Sequence, residues 1–168
     1  MEKNTLIIFQ TDVKYQLAVI TAINKKLVER SENLTSDNSV LLESIAYQTH
    51  NLYGATENLL KIVASYFENN ITDTAQWYSA LLRRMSQNIP EVRPFLISPS
   101  TYEILNSLRG FRHFFRHAYG VEIEYEQLKI NLFKALALLP NLEKDIELFL
   151  EKINRPILGC MDRKKSRI

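Results

Sequence analysis

Residues 100–120 read STYEILNSLRGFRHFFRHAYG, and this stretch predicts a helix with two different faces. Ser100 and Glu103 have the spacing of a capping box, which starts a helix, and Gly120 is a typical C-terminal stop. Between these ends, apolar residues recur at helical spacing and define the predicted buried face: Ile104, Leu108, Phe111 and Phe115. The segment is therefore expected to pack against other elements along one side and to present charged groups beside it.

Four more helices and no convincing strand are predicted around this segment. They run from Asn4 to Arg30, from Asn38 to Glu68, from Thr72 or Asp73 to about Gln87, and from Tyr125 to Ile153. Pro140 should kink or divide the last of them, and Pro90, Pro94 and Pro99 indicate an extended connection before the fourth. The apolar residues of the first two helices fall at helical spacing. The pattern predicts an all-α, up-and-down bundle of about five helices.

The composition is that of a single globular domain. The chain has 168 residues, of which 46% are hydrophobic and 24% are charged. We expect one helical domain over residues 1–153 and a basic C-terminal tail over residues 154–168. The single cysteine, Cys160, excludes an internal disulfide and a zinc site with several cysteine ligands. The apolar run from Leu6 to Phe9 is too short to span a bilayer and lacks the features of a signal peptide, so we expect a cytoplasmic protein without a membrane partner.

Positive charge is concentrated in two places along the chain. Residues 83–117 carry six arginines and two glutamates, a net charge of +4, whereas the whole chain has a formal net charge of +2. The basic tail is the second concentration. The first segment also contains two of the three histidines. A modest basic patch suits a polyanionic substrate better than a membrane surface.

The predicted polar face of the fourth helix combines phosphate-binding and proton-transferring residue types. Arg109, Arg112, His113 and Arg116 are three or four residues apart, and arginine forks fit phosphate oxygens. Histidine titrates near neutrality and can both give and take a proton. On an ideal helix, however, His117 lies about 140° from Arg112, so the helix must end or distort near His117, or a second chain must complete the site.

Two simpler interpretations of the same residues stay open. Arginines on an exposed helix face are ordinarily just solvated, and a histidine at a helix C-terminus suits the helix dipole. A metal site is less favoured, because His113 and His117 have i, i+4 spacing but only Glu103 could add a carboxylate from that helix.

A family resemblance selects among these residues. Arg112, His117 and Tyr119 match the R-x4-H-x-Y signature of HEPN-domain ribonuclease toxins of the HepT type. The segment from Tyr53 to Leu60, YGATENLL, also resembles the second-helix region of that family. The resemblance covers residues 1 to about 152, but its specific part is confined to these two segments.

The resemblance implies a metal-independent endoribonuclease that uses no cofactor and acts as a homodimer. Its substrate would be RNA, with transfer RNA as one candidate, and cleavage would proceed by attack of the ribose 2′-OH. His117 would transfer protons and Arg112 would stabilise the charge of the transition state. Three further residues would bind the RNA backbone and two would support the arginines through hydrogen bonds. These are Arg109, His113 and Arg116 for RNA, and Glu57 and Asn58 for support, although plain interhelical contacts are the simpler explanation for the last two.

The resemblance also implies control by a partner. Such toxins pair with nucleotidyltransferase antitoxins of the MNT type, which transfer AMP onto the tyrosine of the motif, here Tyr119. The alternative for Tyr119 is an aromatic plug at the helix end. For the whole protein, the alternatives are a non-catalytic HEPN-like module that binds nucleotides or proteins, and a helical adaptor whose basic face binds an acidic partner.

Overall fold

The computed structural model contains five helices within the residues that it describes, which are 2–68, 77–117, 120 and 122–165, with only the backbone described at 77–78 and 155–165. In chain order the helices are α1 (Lys3–Ser31), α2 (Ser39–Phe67), α3 (Trp77–Met85), α4 (Pro99–His117) and α5 (Tyr125–Lys165). Helices α1 and α2 run antiparallel, as the hydrogen bonds from Gln16 to Ala55 and from Arg30 to Ser44 show. Helices α4 and α5 do the same, as shown by those from Lys134 to Ser107 and from Ser98 to Asp145. The predicted all-α bundle is confirmed.

Helix α2 lies at the centre of the bundle, where it contacts each of the other four helices. Aromatic side chains pack against one another at the end of the bundle near the C-terminus of α2. Phe9 is fully buried, and its ring centroid lies 5.0 Å from that of Tyr66, 5.4 Å from that of Phe67 and 6.3 Å from that of Phe149. These edge-on contacts join α1, α2 and α5. Helix α2 therefore presents side chains to α4 from the centre of the bundle.

Two predicted helix boundaries differ from the structure. The fifth helix was expected to end at Ile153, but α5 continues to Lys165, and Pro140 does not divide it. A helical backbone does not require a buried face, so α5 can continue past the predicted end of the helical domain. The division expected between a helical domain over residues 1–153 and a basic tail over residues 154–168 stays a prediction. The third helix ends at Met85, and its predicted start at residues 72–73 lies outside the described residues.

The cap of α4 lies two residues earlier than its predicted capping box. The first residue of the helix is Pro99, and the Ser98 hydroxyl accepts a hydrogen bond of 3.3 Å from the Thr101 backbone N–H. Proline is favoured at the first helical position because its missing N–H would be unpaired there anyway. Asp145 of α5 accepts from both the Ser98 backbone N–H and the Ser98 hydroxyl, at 2.8 and 2.9 Å, and also from the Thr101 hydroxyl. The start of α4 is thus fixed by a buried carboxylate from another helix, which the local pattern at Ser100 and Glu103 does not reveal.

The connection between α3 and α4 was predicted to be extended, but it folds back on itself. Ile89 and Arg93 form an isolated antiparallel bridge, and Glu91 between them has a φ of 63°. The Arg93 side chain lies inside this turn. Its guanidinium donates to the carbonyls of Gln87 and Pro94, both at 3.1 Å. A buried guanidinium therefore holds together a turn that the prolines alone would leave open.

One described helix is long and apolar enough, by length and composition alone, to cross a membrane. It is α1, whose 18-residue apolar window has a mean hydropathy of 1.3 and is 22% buried. The same helix packs along α2 with Phe9, Val13, Ile20 and Leu27 buried, and a core helix of a bundle can meet the same criteria. The expectation of no membrane partner stays a prediction.

Candidate functional site

The buried face of α4 is turned relative to the sequence prediction. Thr101 and Leu105 lie in the core together with Leu108 and Phe111, whereas Ile104 is only partly buried. Arg112 follows Leu105 by seven residues, which is about two turns, so both side chains leave the helix in nearly the same direction. Arg112 therefore points toward the bundle, and its side chain is only 19% exposed.

Arg112 lies between α4 and α2, where a buried carboxylate faces it. Its Nη1 is 3.5 Å from Oε2 of Glu57, and its guanidinium carbon is 5.6 Å from the ring centroid of Tyr53. The Glu57 side chain is 5% exposed, and Nζ of Lys61 lies 2.9 Å from its other oxygen. A desolvated carboxylate is costly without nearby cations, so the ion pair with Glu57 favours this position of the Arg112 guanidinium. Asn58, the other predicted supporting residue, is exposed on α2.

His117 is the last residue of α4 and is directed differently from Arg112. Its ring centroid lies 4.7 Å from that of His113, one turn earlier, and both histidines are exposed. The described part of α4 reaches His117, so the expected end or distortion of the helix there stays a prediction. Within one chain, Arg112 is turned to α2 while His117 is turned to solvent beside His113. Tyr119, the predicted modification site, lies outside the described residues.

The remaining predicted RNA-binding residues lie on the same side of α4 as Arg112 or next to it. Arg116 is exposed, one turn after Arg112. Arg109 is partly buried, and its guanidinium donates a 3.0 Å hydrogen bond to Oδ1 of Asn106. Arg109 and Arg116 therefore flank Arg112 along the helix, and Arg116 in particular is accessible to an anion.

The predicted basic surface is smaller than the sequence suggested. Arg93 is fully buried and paired with Glu68, to which both its Nε and its Nη2 donate. Arg84 also pairs with Glu68, at 2.7 Å. Glu68 lies outside the segment whose charge was counted, so the sequence count missed this partial neutralisation. Arg84 and Arg93 stabilise the end of α2 and the turn before α4 rather than offering free charge to a partner.

Sequence reasoning missed one residue at this place, the histidine of α2. The ring centroid of His50 lies 5.5 Å from that of Phe115 on α4. Burial lowers the pKa of His50 most, the charges of Arg112 and Arg116 lower it further, and Glu57 partly opposes them. The signal that could have found it is spacing, because His50, Tyr53 and Glu57 are three and four residues apart in turn and share one face of a helix.

A metal centre finds no support in the part of the chain that is described. Within those residues, no three His, Cys, Asp or Glu side chains are close enough together to hold a metal ion.

Comparison with known proteins identifies the family. The profile of a family described as HepT-like protein matches residues 44–153, which is more than half of the chain. The match includes the central part of α2 and all of α4, and so contains both helices that form the site. Searches of curated proteins and of solved structures return no significant match. The chain therefore belongs to the HepT-like family and is a HEPN protein of the HepT type.

Proposed function

We propose that this protein is a metal-independent endoribonuclease, the toxin of a toxin–antitoxin pair that acts in the cytoplasm. The observation that carries the proposal is the placement of Arg112. Its guanidinium is held by the buried Glu57 carboxylate and lies between exposed Arg116 and partly buried Arg109. A cation that is fixed before the substrate arrives needs little reorganisation to stabilise charge that develops on a phosphate.

The proposed reaction is cleavage of RNA by its own 2′-OH group. The 2′-oxygen attacks the neighbouring phosphorus, and the bond to the 5′-oxygen breaks. The products are a 2′,3′-cyclic phosphate and a 5′-hydroxyl. Arg112 stabilises the pentacoordinate phosphate, and His117 transfers a proton. Arg109, His113 and Arg116 bind the RNA backbone, which makes binding dependent on salt.

A homodimer would bring the second copy of His117 toward the first copy of Arg112. This part of the proposal is supported by the different directions in which the Arg112 and His117 side chains point within one chain. It is also supported by the family resemblance, which implies a homodimer. The separation of the two side chains equally favours a second candidate function, a HEPN module that binds nucleotides or proteins without cutting RNA. Cleavage itself distinguishes the two.

We expect purified protein to cleave total RNA in the presence of EDTA. His117→Ala should reduce the rate by about 100-fold or more, because proton transfer by a positioned side chain contributes at least this much. Gel electrophoresis would measure the rate, and labelling of 5′-hydroxyl ends by polynucleotide kinase without prior phosphatase would identify the products. Arg83→Ala, at an exposed arginine outside the site, is the matched control and should cleave like the wild type. RNA that stays intact with the wild-type protein would favour the binding module.

We further propose that an MNT-type nucleotidyltransferase silences the protein by transferring AMP to Tyr119. The added phosphate would occupy the arginines that otherwise bind RNA. Co-expression with such an enzyme encoded beside this protein should raise the intact mass by whole AMP units, as measured by mass spectrometry. Tyr119→Phe should abolish the increase. An unchanged increase in Tyr119→Phe would place the modification on another residue.

A further inference from the structure

The proposed reaction needs two proton-transferring groups, but the motif of one chain supplies one. A base must take the proton of the 2′-OH, and an acid must give a proton to the departing 5′-oxygen. His117 alone cannot do both in a single concerted step. The chain contains only three histidines, so the candidates for the second role are few.

His50 is the histidine that shares the interhelical site with Arg112. It precedes Tyr53 by one helical turn and Glu57 by two turns, and both of these α2 residues contact Arg112. Its ring lies against Phe115, which is three residues after Arg112 on α4. His50 and Arg112 are thus placed by the same helix pair, α2 and α4, whereas His113 and His117 lie on the exposed side of α4.

The surroundings of His50 favour a neutral imidazole with one nitrogen left for a substrate. Nδ1 is buried and has no hydrogen-bond partner among the described residues, while the residue as a whole is only partly buried. A protonated ring would bury an unpaired charged N–H at Nδ1, which is costly. Nε2 is not among the buried unpaired atoms, so it is the nitrogen that can contact RNA. It accepts a proton in the neutral tautomer that carries hydrogen on Nδ1, and the negative charge of a phosphate bound beside Arg112 offsets the cost of the charged ring.

The neighbouring charges act in the same direction. From α4, Arg112 and Arg116 face His50 and lower its pKa, in addition to the larger effect of burial, and Glu57 on its own helix raises it in part. The charged groups that shift the pKa of His50 are therefore on α4 and on α2 itself. A histidine in this setting is neutral over a wider range below neutral pH than an exposed one.

We propose that His50 is a catalytic residue of the ribonuclease reaction and acts as its general base. Nε2 of His50 takes the proton from the ribose 2′-OH, the 2′-oxygen forms its bond to phosphorus, the bond from phosphorus to the 5′-oxygen breaks, and His117 gives its proton to that oxygen. Arg112 binds the phosphate, and the donating histidine is His117 of the partner subunit in the proposed homodimer, because His117 is turned away from Arg112 within one chain. The proposal rests on the ribonuclease function proposed above and adds a residue outside the signature motif.

The test compares wild-type protein with His50→Gln and His50→Ala in EDTA, using an RNA oligonucleotide as the substrate and kcat/KM over a range of pH as the readout. We expect His50→Gln to lower kcat/KM by about 100-fold or more. For the wild type, activity should fall as the pH drops through the lowered pKa of His50, below the ordinary value of about 6.5. His50→Gln should lose this acidic limb, and added imidazole should restore part of the activity of His50→Ala. Circular dichroism would verify that both variants fold.

Three outcomes would overturn the proposal, and they separate it from the proposed function. Wild-type kcat/KM and an unchanged acidic limb in His50→Gln would exclude His50 as the base while leaving the ribonuclease function in place. Both variants could instead lose activity that imidazole does not restore, while the residual rate keeps the acidic limb of the wild type. This result would assign His50 a structural role. A wild-type protein that does not cleave would remove both proposals together.

Discussion

Replacing Arg93 with alanine should lower the free energy of unfolding by about 3–5 kcal/mol, the usual cost of removing one partner of a buried ion pair. The Arg93 side chain has no exposed surface. Its five hydrogen bonds connect the end of α2, the end of α3 and the turn before α4, through Glu68 and through the carbonyls of Arg84, Gln87 and Pro94. Alanine would leave all of these acceptors without that donor.

The Glu68 carboxylate accounts for much of the expected loss. Its side chain is only 14% exposed, and without Arg93 its remaining ion-pair partner would be Arg84, whose side chain is 53% exposed. A charge left in a partly desolvated position is more costly than the pair was favourable. Arg93→Lys should recover only part of the stability, because an ammonium group cannot reproduce the planar fork.

Urea unfolding followed by circular dichroism would measure this effect. Arg83→Ala is the matched control, because Arg83 is exposed and surface substitutions usually change stability by no more than about 0.5 kcal/mol. A shift of similar size in Arg93→Ala and Arg83→Ala would contradict the structural role assigned to Arg93. Such a result would indicate that Arg93 contributes exposed positive charge, as the sequence had suggested.

The second large effect is expected at Arg112. Arg112→Ala should reduce the rate of RNA cleavage by about 10²–10³-fold, because one preorganised group that stabilises transition-state charge contributes about this much. Arg112→Lys keeps the charge but loses the fork, so its activity should lie between those of the wild type and alanine. The measurement is kcat and KM on an RNA oligonucleotide in EDTA. Arg83→Ala again serves as the control.

The kinetic pattern distinguishes catalysis from binding at the same helix. Loss of Arg112 should mainly lower kcat, whereas Arg116→Ala should mainly raise KM and weaken the salt dependence of binding. Because Arg112→Ala also leaves Glu57 buried beside Lys61 alone, its unfolding curve must be measured in parallel. A folded Arg112→Ala protein with wild-type kcat would contradict the role proposed for this arginine.

Periodicity and breaks predicted the number and order of the helices because both are local properties of the chain. Phe9, Val13, Ile20 and Leu27 recur at helical spacing, and all four are buried in α1. Helix ends were predicted less well. The cap of α4 is Ser98 rather than Ser100, since Asp145 from a distant part of the chain binds Ser98.

The signature selected Arg112 and His117 from six arginines in one segment and three histidines in the chain, but it could not predict how they are oriented. The burial of Leu105 instead of Ile104 turns Arg112 toward α2. The orientation of α4 about its axis depends on which of its faces packs against the bundle. A helical wheel cannot decide between the face with Leu105 and the face with Ile104, because both contain apolar residues.

Local spacing thus determines where the chain is helical and which residue types lie together on one helix, because these follow from the 3.6-residue turn. Contacts between residues that are distant in sequence are decided only when the helices pack. Packing brings His50 and Glu57 of α2 to Arg112 and its neighbours on α4, and it withdraws Arg93 from the surface to pair with Glu68. The burial of a charge depends on all the elements around it, so the environment of each arginine and histidine is a property of the folded bundle.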